Sequence, residues 1–240
     1  MKVTTVSQYS AGELTRHGVS SASKIEVIGN GHEHALRWVP LHSDRTRSVA
    51  GPGTIVVLGS SIAHKNIGLI LGLQDRLGSA GLQVAVVGAS TSRVFSRIDY
   101  RNAPNVVWLG RSSDAELAAL LRDSMCLAFP SLVEGFGLPP LEAMSLGCPV
   151  VMSDRASLPE IGGDAVLYAS PDNADAWFNC FLRLQRNEGL RRDLSSRGRA
   201  RAAQYSWTAS ARRYLELMAH ADGLAHMAPC RLETSNALAT

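Results

Sequence analysis

Short, continuous apolar segments separated by helical patterns are the feature that most constrains the fold. Six segments have this character: residues 54–59, 83–88, 105–109, 125–129, 149–152 and 165–168. A strand that is apolar at consecutive positions is buried on both of its faces. Because helical patterns lie between these segments, the sequence predicts a Rossmann-like α/β fold with a doubly wound parallel sheet.

The helical segments carry recognisable end signals. Residues 66–77 predict one helix, and Ser113 with Glu116 forms a capping box ahead of residues 117–121. Residues 139–146 predict a short helix that opens on prolines and is followed by glycine. In open α/β sheets, ligands bind beyond the carboxyl ends of the strands. We therefore expect the site in the loops after Leu58, Val87, Leu109, Phe129 and Met152.

Composition and charge exclude several classes of protein. The formal net charge is +3 with 19% charged residues, which argues against disorder and does not suggest nucleic-acid binding. No apolar run approaches the roughly 18 residues of a membrane span, and residues 1–5 lack a signal-peptide pattern. The four cysteines form no C-x-x-C pair, so we expect buried, reduced thiols rather than a zinc site or disulfides.

The segment from Glu134 to Glu142, EGFGLPPLE, is the most informative stretch. Its two glycines allow the backbone to approach a ligand closely. The amides of Phe136, Gly137 and Leu138 would lie ahead of a helix N-terminus, which favours phosphate. Glu142, in the first turn of the predicted helix, is a suitable acceptor for two ribose hydroxyls, and Glu134 could face a sugar.

This segment resembles the E-x7-E signature of the family 4 glycosyltransferases, which have the GT-B fold. The flanking runs AMSLGCPVV (143–151) and SLPE (157–160) are similar to the family's pattern. Upstream, GSSIAHKN (59–66) resembles its first strand-to-helix loop, and VSQYS (6–10) and VIGNG (27–31) resemble the end of its N-terminal domain. The resemblance covers about residues 1–220.

The resemblance implies roles for particular positions. Glu142 would bind the ribose, Glu134 would lie near the donor sugar, and Lys65 would neutralise the diphosphate leaving group. The remaining donor-binding positions are Gly59, Ser60, His64, Gly110, Arg111 and the amides of Phe136, Gly137 and Leu138. Many family members have arginine where this sequence has Ser60, so one diphosphate cation is replaced, and His64 could partly substitute for it. Gly110 and Arg111 would lie near the base.

The resemblance also implies the reaction. A sugar would pass from a nucleoside diphosphate sugar to a hydroxyl acceptor, such as a growing glycan or a lipid-linked sugar, with retained anomeric configuration. Such enzymes serve polysaccharide biosynthesis. No metal or other cofactor is expected, and no nucleic-acid partner. We expect the chain in the cytoplasm or at the inner face of the membrane, with at most peripheral membrane contact.

The same resemblance divides the chain into five parts. We predict a remnant of the N-terminal GT-B domain (1–35), a linker (36–50), a Rossmann-like donor-binding domain (51–205), a crossover helix (206–226) and a disordered tail (227–240). The chain would then supply the donor-binding half of the enzyme. The alternative is a non-catalytic nucleotide-sugar-binding module that pairs with a separate N-terminal half. A GT-B epimerase fits the E-x7-E spacing less well.

Three further features have simpler interpretations. His32, Glu33 and His34 suggest a metal patch, but no third ligand follows at helical spacing, so we interpret them as a solvated loop. The arginines between residues 183 and 201 are interrupted by acids and lack aromatic neighbours, which favours a solvated helical face over RNA binding. Glu160 is expected to cap or pair structurally.

Overall fold

The computed structural model describes residues 2–60, 62–88 and 103–221. Its centre is a six-stranded sheet in which every neighbouring pair is parallel. The strands are β3 (Thr54–Gly59), β4 (Gln83–Gly88), β5 (Val106–Gly110), β6 (Cys126–Phe129), β7 (Val150–Ser153) and β8 (Leu167–Ala169). The predicted Rossmann-like parallel sheet is thereby confirmed.

The strand order β5-β4-β3-β6-β7-β8 reverses direction at the centre of the sheet. From β3 the chain first builds outward through β4 to β5, and then returns to place β6 on the other side of β3. The loops after β3 and β6 therefore leave the sheet on opposite sides and open a crevice between them. In doubly wound folds this topological switch point is where ligands bind.

The core lies in two layers, one on each face of the sheet. Ile55 and Val57 of β3 face one layer, whereas Val56 between them faces the other, and all three are fully buried. This alternation explains why the strand is apolar at consecutive positions. The helices that cover the sheet are α3 (Ile67–Leu71), α4 (Gln74–Ser79), α5 (Asp114–Asp123), α6 (Leu138–Ser145), α7 (Leu158–Gly162), α8 (Ala174–Arg186) and α9 (Glu188–Ala202).

The prediction of one helix over residues 66–77 is wrong. The structure has α3 and α4 with a turn at Gly72 and Leu73 between them. Glycine in a helix interior costs about 1 kcal/mol relative to alanine, which weakens the helix at this point. The apolar periodicity continues across the turn because Ile70, Leu71, Leu73 and Leu77 all reach the same core layer.

The N-terminal segment forms a small unit against the main domain. It contains β1 (Val3–Thr5), α1 (Gln8–Arg16) and β2 (Ile25–Val27), and the two strands pair in parallel. The sequence predicts a short helix around residues 11–17 and a strand over residues 24–28, which overlap α1 and β2, but it does not predict β1. The carboxylate of Glu160 accepts hydrogen bonds from the amides of Gln8 (3.0 Å) and Tyr9 (3.4 Å). The structural capping role expected for Glu160 is therefore confirmed.

The predicted linker contains regular structure that the sequence analysis missed. Helix α2 (Asp44–Val49) begins after Ser43, which caps it, and buries Thr46 and Val49. The last helix of the described residues is α10 (Trp207–Ala221). The end of the predicted crossover helix and the predicted tail, residues 222–240, lie outside the described residues. The five domain boundaries stay predictions.

The interpretation of the arginines as a solvated face is wrong in part. Arg201 donates from Nε to the carbonyl oxygen of Ile161 at 2.9 Å and also reaches the carbonyl of Glu160. Arg191 donates to the carbonyl oxygens of Leu184 and Gln185 at the end of α8. These guanidinium groups satisfy orphan carbonyls at helix ends. Others form exposed pairs with acids four residues away, as Arg192 does with Glu188.

The cysteines of the described residues are buried and free. Burial raises the pKa of the Cys148 thiol to about 12 and the pKa of Cys126 well above its ordinary value. Cys180 is also buried and its pKa is likewise raised by burial. The expectation of buried, reduced thiols is confirmed for these three positions, whereas Cys230 lies outside the described residues.

Candidate functional site

The loops that follow β3 and β6 meet at the switch point. A cavity of about 180 Å³ lies between them, and three of the predicted site residues, Gly59, Ser60 and Lys65, line it. Its other lining residues are Leu58, Ile67, Ala128, Phe129, Pro130, Ser131 and Pro139. The amide of Leu132 donates to the carbonyl oxygen of His64 at 2.8 Å, so one backbone hydrogen bond holds the two loops together.

Lys65 and Glu134 form an ion pair across this crevice. The distance from Lys65 Nζ to Glu134 Oε1 is 2.6 Å, and the two side chains are 25% and 12% exposed. Lys65 ends a short 3₁₀ helix, Ala63–Lys65, after which Asn66 takes a left-handed conformation and its side chain donates to the carbonyl of Pro171. Nζ also lies 5.3 Å from the centroid of the Phe129 ring. The structure thus brings together the two residues predicted to act at the reacting end of the donor.

Serine hydroxyls hold the carbonyls of residues 134–137, the glycine loop that precedes α6. Ser7 Oγ donates to the carbonyl oxygen of Gly135 at 2.6 Å, and Ser10 Oγ donates to the same oxygen at 3.0 Å. Ser157 Oγ lies 2.9 Å from the carbonyl oxygen of Glu134 and 2.8 Å from that of Phe136. No residue role was predicted for these three serines, although Ser7, Ser10 and Ser157 lie in motifs on which the family resemblance rests.

The orientation of the loop amides follows from these contacts. In a trans peptide the carbonyl and the next N–H point in opposite directions. With the Gly135 and Phe136 carbonyls fixed on the serines, the N–H groups of Phe136 and Gly137 point the other way. Leu138 opens α6, so its N–H is one of the unsatisfied amides of the helix start. Within the described part of the chain, none of these three amides donates a hydrogen bond.

Gly137 is required by the geometry of this turn. Its φ is +114°, and a Cβ atom there would lie 2.9 Å from Cδ2 of Leu158. A side chain would therefore meet both backbone strain and a clash. Glycine allows the chain to enter α6 with its amide end open, which suits binding of an anion.

Glu142 lies one position beyond the first turn of α6, because the helix begins at Leu138 rather than at residue 139 as predicted. Its Oε1 is 2.9 Å from Nε2 of His34, and the Glu142 side chain is 15% exposed. Glu142 and Glu134 therefore have different partners, one from the N-terminal segment and one from the β3 loop.

The interpretation of residues 32–34 as a solvated loop is wrong. His32 is buried and its Nδ1 lies 2.7 Å from the carbonyl oxygen of Tyr205. The carboxylate of Glu33 accepts from Ser206 Oγ at 2.5 Å and from the amide of Trp207 at 2.9 Å, so it caps the start of α10. Partial burial by itself would raise the pKa of Glu33, but the hydrogen bonds from Ser206 and Trp207 outweigh it and lower the pKa to about 2.

Gly110 and Arg111 lie farther out on the sheet. Gly110 ends the edge strand β5, and β4 separates this strand from β3. Adjacent strands are about 4.8 Å apart, so these residues lie on the order of 10 Å from the Lys65 loop in the plane of the sheet. Arg111 is exposed. Their expected position near a base stays a prediction.

No group of three histidine, cysteine, aspartate or glutamate side chains within residues 2–60, 62–88 and 103–221 is arranged to hold a metal ion. In the same residues, no helix has the length and apolar character that crossing a membrane requires.

Comparison with known proteins gives the family. The family model described as "Glycosyl transferases group 1" matches residues 41–201, the greater part of the chain. The chain belongs to the glycosyl transferases group 1 family. The match includes the Lys65 loop, the glycine loop and both glutamates of the E-x7-E segment.

Relatives of this group 1 chain fall into curated sequences and solved structures. It is 44% identical over 100 residues to the O-antigen chain mannosyltransferase B of Escherichia coli, covering 42% of this chain and 26% of that protein. The chain thus spans well under two thirds of the relative's length. The structure of a glycosyltransferase from Rickettsia africae superposes on this chain with a TM-score of 0.76 at 18% identity. The superposition covers 91% of this chain and 63% of the Rickettsia chain.

A second solved structure carries a nucleotide. Anabaena HepE in complex with UDP and glucose superposes with a TM-score of 0.74 at 20% identity. This superposition covers 91% of the present chain and 63% of the HepE chain. At these sequence identities the superpositions show only the fold. This chain has an α/β fold, and its structural neighbours are GT-B glycosyltransferases.

Proposed function

We propose that this group 1 chain binds a nucleoside diphosphate sugar in the crevice between the loops that follow β3 and β6. It would supply the donor-binding half of a retaining glycosyltransferase of family 4 type. The observation that carries the proposal is the ion pair of Lys65 with Glu134, beside three loop amides that have no acceptor in the described residues. A cation and convergent amides next to a helix start match the charge of a diphosphate.

The diphosphate would lie between Lys65 and the glycine loop. An ammonium group has three donors, and Glu134 takes one of them, so two remain for phosphate oxygens. As the bond from the anomeric carbon to the diphosphate oxygen breaks, negative charge grows on the leaving group. Lys65 and the amides of Phe136, Gly137 and Leu138 would stabilise that charge. In this proposal they supply the positive potential, and no metal ion takes part.

The nucleoside would extend from the diphosphate towards α6 and the outer strands. Glu142 would accept hydrogen bonds from the ribose hydroxyls, and the loop after β5, with Gly110 and Arg111, would contact the base. Gly59, Ser60 and His64 would form the wall beside the phosphates. Glu134 would lie beside the donor sugar, where its carboxylate is held by Lys65.

The sugar and the acceptor are proposed by analogy with the relatives. The name of the Escherichia coli relative supports mannose as the donor sugar and a growing glycan as the hydroxyl acceptor. Such an acceptor would be met at the inner face of a membrane during polysaccharide biosynthesis. The Anabaena HepE structure contains UDP, which supports a uracil nucleotide, and GDP is the alternative to be tested beside it.

Titration calorimetry with UDP and GDP tests the proposal. We expect one of them to bind in the micromolar to millimolar range, and Glu142→Ala to weaken this binding by tenfold or more. Glu188→Ala is the matched control, because Glu188 is an exposed acid paired with Arg192 on the surface. Absence of heat with either nucleotide at millimolar concentration would contradict donor binding.

A second candidate function is a non-catalytic module that pairs with a separate N-terminal half. It is favoured by the small β1–β2 sheet, which has two strands in the described residues, beside a cavity of about 720 Å³ lined by α1 and β2. A two-stranded sheet is marginal by itself and gains stability from further strands. Size-exclusion chromatography of this chain with an N-terminal domain from a relative tests the idea, and strictly separate elution would contradict it.

A further inference from the structure

His34 lies between the carboxylate of Glu142 and the indole of Trp207. Its Nε2 is 2.9 Å from Glu142 Oε1, and its Nδ1 is 2.9 Å from Nε1 of Trp207. The three residues come from the loop after β2, from α6 and from the start of α10. They meet only in the tertiary structure, since 108 residues separate His34 from Glu142 and 173 separate it from Trp207.

The chemistry of these groups determines which nitrogen of the His34 imidazole carries the proton. An indole nitrogen can only donate, so Nδ1 of His34 must accept and carries no proton. The neutral ring then has its proton on Nε2, and this N–H donates to Glu142. The direction of donation therefore runs from Trp207 through His34 to the carboxylate.

The backbone on either side of His34 is held firmly. Glu33 caps α10 through Ser206 Oγ and the Trp207 amide, and His32 is tied to the carbonyl of Tyr205. A Cβ on Gly31 would lie 2.0 Å from the Trp207 backbone nitrogen, so the loop and the helix start are in direct contact. The ring of Trp38 also meets His34 edge-on, with 5.7 Å between centroids. His34 thus has little freedom to turn away from Glu142.

We propose that His34 is the positioning residue for Glu142, and that Trp207 selects the tautomer that does this. The inference rests on the proposed role of Glu142 as the ribose acceptor. Each carboxylate oxygen has two lone pairs, so the bond from His34 leaves Oε2 and one lone pair of Oε1 for the ribose. The hydrogen bond holds Glu142 in one orientation before the ligand arrives, which lowers the ordering cost of binding.

The test compares a ribonucleoside diphosphate with its 2′,3′-dideoxy analogue. The quantity measured by calorimetry is the ratio of the two dissociation constants, which reports the contact with the ribose hydroxyls. For the wild type we expect a ratio of about ten or more, and for Glu142→Ala a ratio near one. We expect His34→Ala to lower the ratio about fivefold and Trp207→Phe about twofold. His34→Gln should recover most of the loss, since its amide nitrogen can donate to Glu142.

Trp38→Phe is the matched control, because it retains an aromatic ring beside His34 and leaves the Trp207 contact in place. A merely structural role for His34 would weaken binding of both nucleotides equally and leave the ratio at the wild-type value, which would overturn the proposal. If instead Glu142→Ala retains the wild-type ratio, or the wild type shows no discrimination, the assignment of Glu142 to the ribose fails first and the positioning role falls with it.

A second measurement reports the tautomer of His34 directly. Long-range ¹H–¹⁵N NMR spectra of the wild type distinguish the two neutral imidazole tautomers, and the signals of His34 are assigned by their loss in His34→Gln. We expect the Nε2–H tautomer in the wild type and a mixture of tautomers in Trp207→Phe. An Nδ1–H tautomer in the wild type would overturn the proposal.

Discussion

Ser7 donates a hydrogen bond to the carbonyl oxygen of Gly135 at 2.6 Å, although 128 residues separate them in the sequence. Ser7 also caps α1, because its Oγ accepts from the amide of Ser10 at 3.0 Å. The N-terminal segment is thereby joined to the loop whose amides are proposed to bind the diphosphate. Fixing the Gly135 carbonyl fixes the opposite direction of the Phe136 amide.

Replacing Ser7 by alanine is expected to weaken diphosphate binding about threefold to tenfold, because the Gly135 carbonyl then keeps only the hydrogen bond from Ser10 and the Phe136 amide is held less firmly. Loss of the cap should also lower the free energy of unfolding by roughly 1 kcal/mol. Calorimetry with the diphosphate and with the nucleoside separates the two effects. Ser7→Thr keeps a hydroxyl and serves as the control. Equal weakening of both ligands would contradict a role for Ser7 in orienting the amide.

The charge on Lys65 should distinguish nucleoside diphosphates from monophosphates. We expect Lys65→Met to weaken binding of the diphosphate about tenfold to a hundredfold, and binding of the monophosphate much less, since a charged hydrogen bond contributes roughly 1.5–3 kcal/mol. Calorimetry with both nucleotides checks this, with Lys24→Met as an exposed control. An unchanged ratio of the two dissociation constants would show that Lys65 does not contact the outer phosphate.

Gly137 and Gly135 should respond differently to alanine. Gly137→Ala forces a side chain into φ +114° and against Leu158, so we expect a loss of about 1–3 kcal/mol in the free energy of unfolding. At Gly135 a Cβ would lie 3.6 Å from Ser10 Oγ, an ordinary contact, and φ is not positive. Gly135→Ala should therefore be within about 1 kcal/mol of the wild type. Urea denaturation measures both, and equal losses would disprove the difference in strain.

The cap formed by Glu33 predicts a pH dependence of stability. The pKa of Glu33 is lowered from 4.5 to about 2 in the folded chain, because the hydrogen bonds from Ser206 and Trp207 outweigh the effect of burial. A depressed folded-state pKa stabilises the fold above the unfolded value and loses that effect as pH falls towards 2. The free energy of unfolding of Glu33→Gln should be about 1 kcal/mol below that of the wild type at pH 7. This difference in the free energy of unfolding should disappear as the pH falls from about 4.5 to 2. Urea denaturation of both proteins across this pH range measures the difference. A difference in the free energy of unfolding that stays constant with pH would argue against the ionised cap.

Buried thiols should be unreactive until the chain unfolds. In a Cys230→Ser variant, we expect Cys126, Cys148 and Cys180 to react with a thiol reagent only in denaturant, because burial raises the pKa of each. Absorbance measurements of thiol release, with and without denaturant, give the result. Rapid labelling of the native variant would show that the described core opens readily.

Much of the fold was predictable because it depends on patterns that are local in the sequence. Continuous apolar strands, the capping box at Ser113 and the prolines that open α6 each act over a few residues, and each is present in the structure. The break at Gly72 and helix α2 were missed. At Gly72 the apolar periodicity continues through the turn, and α2 is short and polar.

The candidate site likewise has a part that local sequence patterns predict and a part that they do not. The sequence pointed to Lys65, Glu134 and Glu142 as candidates, because glycines and acids at fixed spacing beside a predicted strand are local signals. It misplaced residues 32–34, and it assigned no role to Ser157 or Trp207.

The sequence by itself determined which loops carry the charged and flexible residues of this chain, since strand burial and helix starts are set by neighbouring residues. Only the tertiary structure decided what those residues touch. The strand order brings Lys65 to Glu134. The packing of α10 against the N-terminal segment brings His34 to Glu142 and Trp207. Contacts between side chains distant in the sequence arise from packing of the whole chain, and no local pattern encodes them.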